Sequence, residues 1–280
     1  MNFSFKNYYI LYSCGVIKTA IYTIPNHRKD SLMLSMGELF PRLSHAPIME
    51  AVIDVRARSE KEWNHESIKE RLIKILPDYP KIEEQRALMA EFMADPHNSP
   101  QAMTKDIDLK GYIFRATDNP QVAQFQREGF IFSRLEPYEN WDSFVEEASR
   151  LWQIHREIFT PSDISRLGVR FINRIEAPLS AKIQDILKDP PNPPCGFKWS
   201  FNNFFHRDIF SVPDTQYKVN LIRLLEKSET QASYIIDIDV YTLLLLEPDR
   251  VWGEHINEMR YLKNKVFFGS ITEPILEKLK

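Results

Sequence analysis

Residues Ser165–Glu176 read SRLGVRFINRIE, and their alternation sets the expected fold. Leu167, Val169, Phe171 and Ile175 recur at even spacing, while Arg166, Arg170 and Arg174 occupy the opposite set with Gly168 between them. Successive side chains of a strand point to opposite faces. The segment therefore predicts a strand with one apolar face and an arginine ladder on the other. Three further strands are expected downstream, at Phe204–Ser211, Tyr217–Glu226 and Ser233–Thr242. In the last, Ile236, Ile238 and Val240 share one face and Asp237 and Asp239 the other. Only a short helix near Ala181–Leu187 and the stiff, extended loop DPPNPP (Asp189–Pro194) precede this run. Strands in consecutive runs fit an antiparallel α+β fold better than a parallel α/β sheet. A closing helix carries Val251, Trp252, Ile256, Met259, Leu262, Val266 and Phe267 in steps of three and four.

The first half follows the same order. Ala46–Arg58 (APIMEAVIDVRAR) alternates Ala51, Ile53 and Val55 with Glu50, Asp54 and Arg56, as a strand does. Asn64 caps a helix bearing Ile68, Leu72, Ile73 and Leu76, which Pro77 ends. Lys81–Ala94 reads as a weaker helix and Asp95–Asp108 as a polar loop. Lys110–Ala116 and Phe130–Glu136 are strands, with Asp118-Asn119-Pro120 as punctuation between them. After Pro137 and a cap near Asn140, a long helix buries Trp141, Phe144, Val145, Ala148, Leu151, Trp152, Ile158 and Phe159. The expectation is an α+β protein of mainly antiparallel sheets in two lobes, 36–160 and 161–280, each covered by a long amphipathic helix. Trp152-x-x-His155 and Trp252-x-x-His255 hint at related lobes. Residues 1–35 form an N-terminal extension. Three readings of its apolar run Tyr8–Ile24 compete: an added strand, a weak anchor, or translated sequence upstream of a start at Met33 or Met36.

Composition excludes several chemistries. The 280 residues carry 36 basic and 39 acidic side chains, so no global field draws nucleic acid or an anionic membrane. There are 8 glycines, against roughly 20 at average usage, and none are clustered. Phosphate-cradling loops and a Gly-x-Ser-x-Gly elbow are thus absent. Cys14 and Cys195 form no Cys-x-x-Cys pair, and the seven histidines include no His-Glu-x-x-His.

Three segments carry a resemblance: LSHAPIMEAVIDVR (Leu43–Arg56), FSRLEPYENW (Phe132–Trp141) and RLGVRFINRI (Arg166–Ile175), with the terminal FFGSITEPILEKL. Together they resemble a sporadically distributed bacterial protein family of unassigned function, over about residue 40 to the end. The resemblance implies a bacterial, cytoplasmic protein, and the patchy distribution a component of a toxin or defence pair. It supplies no site residues.

Four groups remain as candidate sites. Arg166, Arg170 and Arg174 either form cross-strand ion pairs or clamp a phosphate or carboxylate. Asp237 and Asp239 either pair with them or hold Mg²⁺. His206 and Asp208 share a strand face, as an oriented base requires, although a plain strand-surface contact competes. Trp199, Phe201, Phe204 and Phe205 (KWSFNNFFHR) either belong to the core, stack bases, or meet a protein partner. His155 and His255 read as core histidines. No complete catalytic constellation assembles and no cofactor is called for. The leading expectation is therefore a non-catalytic binding or regulatory protein with a protein partner and no membrane span. The alternative is an enzyme or nucleotide sensor whose arginine/aspartate face takes a small anionic, phosphorylated or nucleic-acid ligand.

Overall fold

The computed structural model describes residues 37–59, 63–93, 101–194, 197, 199–243, 245–248 and 252–280. The readings of the N-terminal extension lie outside them. Strand β1 (Ile48–Ser59) leads to helix α1 (His65–Ile75), where the side chain of Asn64 accepts from Ser67 N at 3.1 Å. Leu72 and Leu76 are buried beneath it, whereas Ile73 is 46% exposed. Strands β2 (Lys81–Met93), β3 (Gln101–Arg115), β4 (Gln121–Gln126) and β5 (Gly129–Leu135) follow as a meander. Helix α2 (Trp141–Phe159) begins at Asn140, whose Oδ1 accepts from Ser143 N at 2.9 Å. It ends at Thr160, in the left-handed conformation.

Then come β6 (Pro161–Pro178), the single-turn α3 (Ile183–Ile186), and β7 (Phe204–Ser211), β8 (Lys218–Lys227) and β9 (Gln231–Thr242). Helices α4 (Glu254–Ser270) and α5 (Glu273–Leu279) close the chain. Pro274, early in α5, is placed where its missing N–H costs nothing.

Three sequence expectations require correction. Lys81–Ala94 is a strand rather than a helix over Lys81–Met93, and the strand β3 takes up Gln101–Asp108 of the expected loop. Helix-forming Glu, Gln, Arg and Ala in β2 are overridden by antiparallel pairing along its whole length with β3. The third correction concerns the sheets. The nine strands form one sheet in the order β2-β3-β4-β5-β1-β6-β9-β8-β7, so the halves share a sheet instead of forming two. The join is the long β1/β6 pair, in which Ile53 faces Val169 and Val55 faces Leu167. Every neighbouring pair is antiparallel.

The strand order nonetheless repeats outward from that join. Each half places its first strand beside its last, β1 by β5 and β6 by β9, with the meander running outward. The Trp-x-x-His match is not part of this repeat. Trp152 and His155 lie late in α2, whereas Trp252 precedes α4 and His255 is in its first turn.

Helix α2 packs on the face carrying Phe130, Phe132 and Phe171, and α4 reaches the same face with Lys263 over the Phe171 ring. Phe144 of α2 lies 5.5 Å from Phe132, Trp152 lies 6.1 Å from Phe130 and Trp141 lies 6.3 Å from Phe171, ring centre to ring centre. Trp152 is fully buried, Trp141 nearly so and Trp252 partly. His155 is 1% exposed within this aromatic layer, stacked 4.4 Å from Phe159 and 5.1 Å from Trp152.

Candidate functional site

Arg166, Arg170, Asp237 and Asp239, singled out on β6 and β9, lie on the sheet face opposite α2 and α4. Asp54 of β1, Gly168 of β6 and Tyr241 of β9 form one row across three strands. Arg166 lies along its strand over this row. Its Nη1 bonds to Asp54 and its Nη2 to Asp239 at 2.9 and 2.8 Å, with its guanidinium 5.0 Å from the Tyr241 ring centre. Gly168 is what allows this. A Cβ there would stand 2.5 Å from Nη1 of Arg166 and 2.9 Å from its Cζ.

Arg170 donates from Nε and Nη2 to the two oxygens of Asp237, at 2.8 and 2.6 Å. Arg174 meets Glu176 at 3.8 Å. Burial works against the charge of Arg166, but Asp54 and Asp239 outweigh it and raise its pKa. The two-point bond to Asp237 does the same for Arg170. Burial raises the pKa of Asp239, Asp54 adds to the effect, and Arg166 opposes it. Each arginine of the ladder thus meets at least one carboxylate. A phosphate entering here would displace carboxylates, and a Mg²⁺ ion would displace guanidinium groups from Asp237 and Asp239. Among the described residues, no three His, Cys, Asp or Glu side chains converge as metal ligands.

His206 and Asp208 do come together, on the other face of β7, with Nε2 3.3 Å from Oδ1. Arg223 of β8 takes the rest of both groups. Its Nη2 lies 2.9 Å from Asp208 Oδ2 and 3.2 Å from His206 Nδ1, and its Nη1 also donates to the Asp189 carbonyl. The strand-surface contact accounts for this arrangement.

The aromatic run divides. Phe201 and Phe204 are partly buried against the core, 5.7 Å apart edge to face. Trp199 and Phe205 are 63% and 62% exposed. Phe197 joins them, 51% exposed and stacked on Trp199 at 4.2 Å. Strand β7 is the last in the sheet, bonded to β8 alone. Phe205 and Ile209 project from one side of it and Phe210 from the other, all about half exposed or more.

Sequence reasoning missed two groupings. Tyr217 bonds to both His255 Nδ1, at 2.6 Å, and Glu258, which anchors the start of β8 to α4. The second is Lys263 of α4, whose Nζ lies 3.9 Å from the Phe171 ring centre at a cleft of about 1460 Å³. The signal was present: Lys263 stands four residues after Met259 and four before Phe267, within the apolar stripe.

No described helix is long and apolar enough to cross a membrane. No family model matches the chain, and no curated protein matches it either.

Proposed function

We propose that this protein is a non-catalytic binding protein that recognises another protein through the β7 edge. The observation that carries this reading is the exposure of Phe205 and Ile209 on an edge strand, together with the exposed Phe197–Trp199 stack in the segment that leads into it. Edge strands offer unpaired backbone groups to any extended chain, and soluble proteins usually blunt them with charged side chains, above all lysine, with proline or with brevity. Here eight residues, FFHRDIFS, contain neither lysine nor proline, and Arg207, between Phe205 and Ile209, is drawn to Asn220 of β8 at 2.7 Å. An added strand would bond to the β7 backbone while its alternate side chains pack on Phe205 and Ile209, with Trp199 as an aromatic anchor. The charge pairing of the β6 arginines, on the same sheet face as Phe205 and Ile209, supports the same reading, since a binding module requires no unpaired charge there. The family resemblance is consistent with a bacterial cytoplasmic setting for such a complex and with a toxin or defence pair.

The test is the introduction of charge on the edge. A Phe205→Lys/Ile209→Lys variant should keep the melting temperature of the wild type and lose the partner that copurifies with it. Retention of the same partner by a folded variant would defeat the assignment to β7.

A further inference from the structure

The cleft beside Lys263 is walled by α4, the first turn of α2 and residues Phe40–Met49, and its floor is the β6 end of the sheet. Lys263 is half-buried there, and its ammonium has an aromatic ring beneath it but no carboxylate within ion-pair distance among the described residues. Other cations drawn into the fold differ. Arg134, Arg166, Arg170 and Arg223 each meet a carboxylate. Arg260, one turn before Lys263, spreads over the Trp141 ring at 5.2 Å and lines the same cleft. Phe40, Tyr138 and Phe268 complete an apolar surface, Phe40 and Phe268 being stacked at 5.2 Å.

We propose that this cleft binds a monocarboxylate with an apolar or aromatic body, its carboxylate on Lys263 and Arg260 and its body against Trp141 and Phe268. A single anionic charge fits better than a phosphate dianion because Glu136, Glu139, Asp142 and Glu176 also line the cleft and repel added negative charge. Desolvation, with the like charge of Arg260, lowers the pKa of Lys263 to about 7. An anion would hold the proton on Lys263, so binding weakens above neutral pH. The charged groups lining the cleft with Lys263 are Arg260 from α4, Asp142 from α2, Glu136 and Glu139 before it, Arg174 and Glu176 from β6, and Arg42 and His45 from the N-terminal wall.

The experiment is a thermal-shift titration of the full chain with 1-naphthoate, with inorganic phosphate as the second arm, at pH 6 and pH 8. A ligand that binds only the folded state raises the melting temperature. Naphthoate should stabilise the wild type and quench tryptophan fluorescence, with affinity falling several-fold to about tenfold between the two pH values. Lys263→Met should melt at or above the wild type, because an unpaired, partly buried charge has gone, and should lose the naphthoate shift. Lys263→Arg should bind naphthoate at both pH values. An equal naphthoate shift in Lys263→Met would overturn the proposal, as would no shift in the wild type. A response to phosphate alone would overturn the ligand class.

Discussion

Arg170 and Asp237 are joined by two parallel hydrogen bonds across β6 and β9, although they are not opposite each other in the register. Arg170 faces Asp239, and Asp237 faces Ile172. The diagonal leaves Asp239 for Arg166, which arrives from the far side of Gly168 to bridge it to Asp54. Two arginines thus tie together three carboxylates across β1, β6 and β9, and Arg56 approaches Asp54 at 3.9 Å.

The two halves of the Arg170–Asp237 pair are not equivalent. The Asp237 side chain is 7% exposed and that of Arg170 is 44% exposed. Arg170→Ala therefore strands a buried carboxylate and should cost about 3–5 kcal/mol. Asp237→Asn leaves a guanidinium that can turn to water and should cost about 1–3 kcal/mol. Urea denaturation of both variants checks the order, and equal losses would mean that Asp237 is hydrated.

Gly168→Ala should act through Arg166. The added methyl occupies the space of its guanidinium, and displacing that group breaks the bridge between Asp54 and Asp239. A loss of roughly 1–3 kcal/mol is expected. Combined with Arg166→Met, it should cost clearly less than the sum of the single changes. Additive losses would place the clash elsewhere.

His155 makes stability depend on pH. Its burial in the aromatic layer lowers its pKa to about 4, with the Gln126 carbonyl at 3.2 Å offering only partial compensation. A histidine whose folded pKa lies below its unfolded value near 6.5 contributes stability that is complete above pH 6.5 and is lost as the pH falls towards 4. The interval corresponds to roughly 3 kcal/mol. His155→Gln keeps a donor for Gln126 and cannot titrate. Its stability should be flatter from pH 6.5 to 4 than that of the wild type, and an equally steep fall would assign the titration to other groups.

Much of this was legible in residue spacing, and what was not has identifiable causes. The apolar stripe of α2 and the alternation of β1, β6 and β9 recur over many residues, so their faces could be read directly. The short β4, QVAQFQ, escaped notice because its alternation is brief and its flanks are glutamine. In β2, local composition favours a helix and only its partner β3 makes it a strand. The alternation of Arg166 and Asp239 was visible, but their contact depends on strand order, which spacing along one chain does not contain. Lys263 was overlooked because one charge in an apolar stripe reads as noise until the ring beneath it and the cleft beside it are known.

The central claim is that β7 receives a protein partner. The most direct measurement is photocrosslinking in the native host, with p-benzoylphenylalanine in place of Ile209 on β7 and, as a control, in place of the exposed Lys278 on α5. The account predicts one discrete crosslinked protein from position 209, absent from position 278 and lost when Phe205→Lys is added. Position 209 yielding no crosslink, or the same products as position 278, would contradict it.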